Sequence, residues 1–368
     1  MTNATSPLFQ PLEHGPLSLR SRIAMAPMTR SRAPGNLPNA LMREYYRQRA
    51  DAGVQITEGV APSAQGLGYA RIPGLFNVAQ ARAWGEIASA VHARGGKLVV
   101  QLMHTGRIGH ELNLPQGTGP LLAPSAIAAA GQMWTDQAGL QAHPLPKAMD
   151  ATDLERVKAD FVRAAEFAIA AGVDGIELHA ANGYLLAQFL NPKSNVRVDA
   201  YGGSAENRRR FVLEVVDAVV AAIGRERLGI RLSPFNPFND LAADYEGEAA
   251  ELLALVRELS ARGLGYLHLI ATPGAVPAAT VDAVRAAFAG VLLLAGDFDR
   301  ERAELALAAG RADVIVFGRP FIANPDLPRR LREQLPLAPF DAGTLYSPGA
   351  QGYSDYPSYD TAQDAVAA

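Results

Sequence analysis

Six consecutive residues, His179-Ala180-Ala181-Asn182-Gly183-Tyr184, bring an imidazole, a carboxamide and a phenol into one short stretch. Two neutral hydrogen-bonding side chains followed by a phenol suit one kind of chemistry, in which a substrate oxygen is held while a proton is delivered close by. The stretch directly follows Gly175-Ile176-Glu177-Leu178, an apolar run that reads as a buried strand. A histidine at a strand end is also a common structural residue, so the chemistry depends on what the rest of the chain places around it.

The elements that must do that placing recur along the chain. Short apolar runs stand at Arg22 to Met25, Val54 to Thr57, Leu98 to Leu102, Gly175 to His179, Leu228 to Leu232, Tyr266 to Ile270, Val291 to Ala295 and Asp313 to Phe317, eight strand candidates in all. Their near-continuous apolar character is that of strands covered on both faces. Helical patterns lie between them. Thr152-Asp153-Leu154-Glu155 reads as a capping box ahead of Leu154, Val157, Phe161 and Ala164, and Ser204 opens a helix with Val212, Val215, Val219 and Ile223 on one stripe. Gly53, Gly95, Gly172, Gly263 and Gly310 are expected to end helices by taking up the left-handed conformation.

Alternating strands and helices predict an α/β fold, either a closed TIM (β/α)8 barrel or an open doubly wound sheet. The count of eight favours closure, as does the absence of a Gly-x-Gly-x-x-Gly turn after the first strand. The expected organisation is a single domain over residues 1–368. Residues 105–150, rich in Gly, Pro and Ala, read as an excursion after strand three that caps the barrel mouth, or else as a disordered insertion. Residues 336–368 form a tail whose last residues are expected to be mobile.

Composition bounds the function. A hydrophobic fraction of 49% supports a large core, and a net charge of -3 gives no electrostatic case for nucleic acid or an anionic membrane. The chain has no cysteine, which excludes disulfides, thiolate metal sites, iron-sulfur clusters and a cysteine nucleophile, and no metal site is expected. Met1 to Pro11 has neither the basic start nor the apolar centre of a signal peptide, and no apolar run reaches membrane-spanning length. The expectation is a cytoplasmic enzyme with a small-molecule substrate, as a monomer or a homodimer.

Chemistry in such a barrel sits where the strands end. There the sequence delivers Thr29 from strand one, Gln101 from strand three, His179, Asn182 and Tyr184 from strand four, and Arg231 from strand five. Strands seven and eight end at Gly296-Asp297 and Gly318-Arg319, glycine turns suited to a phosphate. A buried Arg231 needs an anion or a delocalised negative charge opposite it. Reduced flavin mononucleotide meets both requirements, with a phosphate at one end and a pyrimidine edge for Gln101 and Arg231 at the other. A sugar phosphate fits the phosphate end equally well.

From Gly172 through His179, Asn182, Tyr184, Gln188, Phe189, Asn191, Pro192, Asn195, Arg197, Asp199 and Tyr201 to Arg208 and Arg210, the chain resembles the signature of the Old Yellow Enzyme family of flavin-dependent ene-reductases. Further matches include Met25-Ala-Pro-Met-Thr29-Arg30, Ile56-Thr-Glu-Gly59, Gln101-Leu-Met-His104-Thr-Gly-Arg107, Phe317-Gly-Arg319-Pro-Phe-Ile-Ala-Asn324-Pro325 and Gly352-Tyr-Ser-Asp-Tyr-Pro357. The resemblance implies noncovalent FMN reduced by NADPH or NADH and reoxidised by an activated alkene. It implies that Pro27, Met28, Thr29, Gly59, Gln101, Arg231, Gly296, Asp297, Gly318 and Arg319 hold the flavin. His179 and Asn182 would grip the substrate oxygen, flavin N5 would give hydride to the β-carbon, and Tyr184 would protonate the α-carbon.

Tyr69, Met103 and Tyr346 match pocket-lining positions of the family, Met103 standing where many relatives have tryptophan. Thr29 matches the branch that tunes the flavin with a threonine. Asp297 should offer only its backbone amide to a phosphate, since its carboxylate would repel one. His104 and Arg107 are read as structural, and Glu177 as a buried, hydrogen-bonded core carboxylate. The other readings are a flavin-free sugar-phosphate isomerase and a non-catalytic flavin- or phenol-binding protein. A 2-hydroxy-acid oxidase lacks support, because His179-x-x-Asn182 does not supply its histidine base and paired arginines.

Overall fold

The computed structural model describes residues 6–367, so residues 1–5 of the Met1 to Pro11 stretch and residue 368 lie outside the described residues. Eight parallel strands close on themselves in chain order: β1 Ile23–Met25, β2 Val54–Val60, β3 Leu98–Leu102, β4 Gly175–Ala180, β5 Leu228–Leu232, β6 Tyr266–Ile270, β7 Val291–Ala295 and β8 Val314–Phe317, with β8 returning to β1. Closure decides between the two sheet architectures in favour of the TIM barrel. Each expected run becomes a strand, but β2 continues through Glu58 and Gly59 to Val60 across a register shift between Ile56 and Gly59.

The period-two geometry of strands divides their side chains between two cores. Ile176, Leu178, Ile230, Leu267 and Leu269 face outward and pack with Val157 and Phe161 of helix Ala151–Ala170 and Phe211 and Val215 of helix Ala205–Ile223. Each such side chain, fully buried, contributes roughly 1.5–3 kcal/mol of transfer free energy. Ala24, Val54, Ile56, Val99, Tyr266, Leu293 and Val314 face inward and fill the lower barrel. Above them on the same inward parity come Gln101, Glu177, His179, Arg231 and His268, all buried. A largely apolar floor beneath a polar layer is thus written into single strands: Val99 below Gln101, and the Tyr266 ring below His268.

Two local expectations are corrected. The cap of helix Ala151–Ala170 is Asp150, not Thr152: Asp150 accepts from Asp153 N, and Asp153 accepts from Asp150 N in return. Aspartate fills both positions of the box, two residues earlier than expected. Gly95, Gly172, Gly263 and Gly310 do take left-handed φ angles, but Gly53 does not; a Cβ there would run into the Ser21 carbonyl, so close chain approach is what it serves. Ser204 caps its helix through Asn207 N as expected.

The 105–150 segment is an ordered excursion. It carries an antiparallel hairpin, Gln132–Thr135 with Gly139–Ala142, and a two-residue pairing of Leu122–Ala123 with Lys147–Ala148. Met133 of the hairpin packs with Met103 and Tyr184, which brings the excursion over the barrel mouth. The tail also returns to the mouth. Buried Arg32 donates to the carbonyls of Thr344 (2.7 Å), Leu345 (2.7 Å) and Gln351 (2.9 Å), and buried Arg30 to those of Leu345 (3.1 Å) and Gly352 (2.6 Å). Its final described residues form a helix over Tyr359–Ala367, and residue 368, part of the stretch expected to be mobile, lies outside the described residues.

Candidate active site

Strand register assembles the polar layer. Gln101 is the partner of Gly59 on one side and Glu177 on the other, while Arg231 is the partner of both His179 and His268. Gln101 Nε2 donates to Glu177 Oε1 at 2.7 Å, and His268 Nδ1 lies 2.9 Å from Glu177 Oε2. Burial opposes the Glu177 charge, yet His268, Arg231 and Gln101 outweigh it and hold the carboxyl below its usual range. Burial lowers the Arg231 guanidinium, opposed by Glu177. Its Nε has no partner within the protein, a buried donor of the kind a ligand satisfies.

His179 is kept neutral first by burial and then by the positive charge of Arg231. Its tautomer follows from its neighbour: the Ala181 N–H points at Nδ1 from 3.3 Å, so Nδ1 accepts and the proton stands on Nε2 as a donor. Asn182 is oriented in the same manner. Its Oδ1 accepts from Asn236 Nδ2 at 3.0 Å, which leaves its own NH2 group as the free donor. The backbone of Asn182 is held in a left-handed conformation, φ 55°, with its N–H on Ser233 Oγ (2.8 Å) and its carbonyl on Asn239 Nδ2 (2.7 Å). Gly183 allows this closure, because a Cβ there would lie 2.6 Å from Asn239 Cβ and 2.8 Å from the Phe238 carbonyl.

Tyr184 is buried and sits edge-on to His179, ring centroids 4.9 Å apart. Its hydroxyl lies 3.0 Å from that of Tyr69. Burial raises the Tyr184 phenol, while hydrogen bonding from Tyr69 and Asn239 pulls it back. Tyr69, Met103, His179, Asn182, Tyr184 and Tyr346 line one cavity of about 1080 Å³ together with Pro27, Thr29, Gly59, Gln101 and Arg231. Met103 is buried beneath Gly59, whereas Tyr346 is 60% exposed at the rim with Trp134, Leu140 and Phe238.

A second cavity of about 400 Å³ shares Arg231 with the first and is lined by Gly296, Asp297, Gly318 and Arg319. Small-molecule sites usually occupy about 300–1,000 Å³, so the two together have room for a cofactor and a second ligand. A Cβ on Gly318 would meet only Ala26 and Met28 at ordinary distances, so the protein alone does not require glycine there; the cradle stays open for a ligand. With the unpartnered Arg231 donor at one end and this glycine cradle at the other, the residues present fit a phosphate-bearing flavin. The Arg319 side chain is 76% exposed and only loosely paired with Asp297, at 4.0 Å.

The structure therefore brings together every candidate except Met28, which lines neither cavity and whose sulfur lies beside Gly318. His104 and Arg107 sit in the framework: His104 Nδ1 accepts from Gly106 N, and Arg107 donates to the Asp240 carbonyl at 2.7 Å. Glu177 is a hydrogen-bonded core carboxylate as expected. Sequence reasoning missed His268, although a histidine on the inward parity of Tyr266-Leu-His268-Leu-Ile270 was visible. It also missed the Ser233, Asn236 and Asn239 set, whose signal was the repeated Pro-Phe-Asn after Arg231, and Arg302, which donates to the Asp297 carbonyl at 2.6 Å.

Residues 7–338 match the model of the NADH:flavin oxidoreductase / NADH oxidase family. The chain is similar to chanoclavine-I aldehyde reductase fgaOx3 of Penicillium roqueforti, 41% identical over 95% of each chain. It is also similar to a probable flavin mononucleotide-dependent alkene reductase of Leishmania infantum, 38% identical over 95% of this chain and 97% of that one. The structure of morphinone reductase in complex with tetrahydroNAD superposes with a TM-score of 0.91 at 44% identity, covering 97% of this chain and 99% of that one.

Proposed function

This chain belongs to the NADH:flavin oxidoreductase / NADH oxidase family, the Old Yellow Enzyme family, and from that membership we propose how its residues divide the work of a flavin-dependent ene-reductase. The flavin is FMN, supplied with electrons by NADPH or NADH. When bound, it supplies the hydride that an activated alkene accepts. Thr29, Gln101 and Arg231 would hold its ring end, Pro27 and Gly59 would shape its bed, and Gly296, Asp297, Gly318 and Arg319 would hold its phosphate, with Met28 behind Gly318 and outside both cavities.

His179 and Asn182 grip the carbonyl or nitro oxygen of the substrate. One observation carries this reading: the acceptor atom of each side chain is already taken, His179 Nδ1 by Ala181 N and Asn182 Oδ1 by Asn236, so both present a donor. Two preorganised donors stabilise the negative charge that grows on the oxygen as hydride arrives at the β-carbon. Tyr184, edge-on to His179, then gives its proton to the α-carbon. A phenol suits this role, since its ordinary pKa near 10 keeps it protonated at neutral pH while a carbanion-like carbon is far more basic. Tyr69, Met103 and Tyr346 bound the substrate.

A sugar-phosphate isomerase is not favoured, because the chain matches a flavin oxidoreductase family and is similar along its length to flavin-dependent reductases. The proposal extends to a cytoplasmic location and to one FMN-binding unit acting as a monomer or homodimer; no described helix is long and apolar enough to cross a membrane. Purified protein should be yellow and release FMN on denaturation, bleach anaerobically with NADPH or NADH, and regain colour with 2-cyclohexenone. A colourless protein that takes up no added FMN contradicts the reading.

A further inference from the structure

We propose that Tyr69 donates a hydrogen bond to Tyr184 and is the route by which Tyr184 regains its proton after each turnover. The inference rests on Tyr184 being the proton source. The two hydroxyls lie 3.0 Å apart, and the rings meet edge to face at 6.1 Å and 74°. Around them are the apolar Met103, Ile108 and Met133, with Asn239 as the other hydrogen-bonding neighbour of both phenols.

Geometry alone leaves the direction of this bond open; the chemistry fixes it. If Tyr184 donated to Tyr69, its own hydrogen would point away from the substrate. Only with Tyr69 as donor is the Tyr184 proton free for the α-carbon. The electrostatics agree. Burial raises both phenols, but the shared bond raises Tyr69 further and lowers Tyr184, so Tyr184 is the one that releases a proton more readily.

Only protons move between the groups: the α-carbon's own electron pair makes the new C–H bond, and the pair of the broken O–H bond stays on the Tyr184 oxygen. The Tyr184 O–H bond breaks as a C–H bond forms at the α-carbon. The Tyr69 proton moves along the hydrogen bond to the Tyr184 oxygen. Tyr69, which is half-buried and reaches toward the mouth where Arg71 and Asp136 line the same cavity, takes a replacement proton from water. Hydrogen bonds to charged groups contribute about 1.5–3 kcal/mol. Losing this one should therefore slow the protonation step by about 10- to 100-fold.

The test uses holoenzyme reduced beforehand with dithionite, mixed anaerobically with 2-cyclohexenone, so that no nicotinamide enters the measurement. Tyr69→Phe should lower the limiting rate of reoxidation about 10- to 100-fold, leave the half-saturating enone concentration within about twofold, and enlarge the solvent deuterium isotope effect. Tyr69→His, which retains an N–H donor, should recover part of the rate. Three results overturn the proposal: an unchanged limiting rate in Tyr69→Phe, a loss expressed in half-saturation instead, or an unchanged isotope effect. Tyr184→Phe run alongside separates the two claims. If it is slow while Tyr69→Phe is fast, only the relay fails; if Tyr184→Phe is itself fast, the proton-source reading fails first.

Discussion

Gln101 and Glu177, partners on neighbouring strands, are joined by a 2.7 Å hydrogen bond from the Gln101 amide nitrogen to the Glu177 carboxylate. A carboxylate can only accept, so Gln101 must turn its NH2 group toward Glu177 and its oxygen the other way. The same carboxylate is the negative charge nearest in influence to Arg231. One buried residue thus sets both the orientation and the electrostatics of the layer beneath the cavity.

Replacing Glu177 with Gln should release both constraints. With the negative charge gone, the site favours the more negative, reduced flavin. The midpoint potential should rise, by about 30 mV for each 1.4 kcal/mol of charge interaction lost in a two-electron couple. Spectroelectrochemical titration of the Glu177→Gln holoenzyme checks this. A potential equal to or below that of the wild type contradicts it.

Asn236 is expected to matter although it touches no substrate. Its side chain donates to Asn182 Oδ1 at 3.0 Å and so fixes which way the Asn182 amide points. Asn236→Ala frees that amide to turn its oxygen toward the substrate oxygen, which weakens one of the two donors. A net hydrogen bond is worth about 1 kcal/mol, so kcat/KM for 2-cyclohexenone should fall roughly five- to tenfold. Steady-state kinetics with the bound flavin monitored by absorbance provide the check.

The buried histidines predict how stability depends on pH. His104 is pushed down to about 3 by burial and then by Arg156. Its folded value lies below its unfolded value near 6.5, so its contribution is present above pH 6.5 and is lost as pH falls from there toward 3. His104→Asn keeps an acceptor for Gly106 N and removes the titration. Over that window the unfolding free energy of the variant should fall less steeply than that of the wild type, by up to about 1.4 kcal/mol per pH unit. Denaturant titrations at pH 4, 5 and 6 would reveal equal slopes if His104 were not held neutral.

His179, Asn182 and Tyr184 were legible because they are contiguous and end an apolar run, and the eight strands because each is a short apolar segment between helical patterns. What was not legible acts across the register. His268 supports Glu177 from two strands away, and Asn236 and Asn239 reach back from the loop after β5 to the loop after β4. The inward parity of His268 and the repeated Pro-Phe-Asn mark the residues but not their partners, and the pairing exists only once closure brings the strands together. The cap at Asp150 was missed for a different reason: Asp150, Thr152 and Asp153 are all capable residues within four positions, and backbone geometry chooses among them. Met28 was carried by motif adjacency; it lies past the end of β1 and lines neither cavity, whereas Pro27 and Thr29 line the larger one.

The central claim is a division of labour in which His179 and Asn182 hold the oxygen and Tyr184 supplies the proton. Rapid mixing of Tyr184→Phe tests it most directly, with flavin reduction by NADPH and reoxidation by 2-cyclohexenone recorded as separate phases. The account predicts that the loss falls on reoxidation, slowed at least about 100-fold, the usual range for removing a general acid. Equal slowing of both phases, or reoxidation at the wild-type rate, would contradict it.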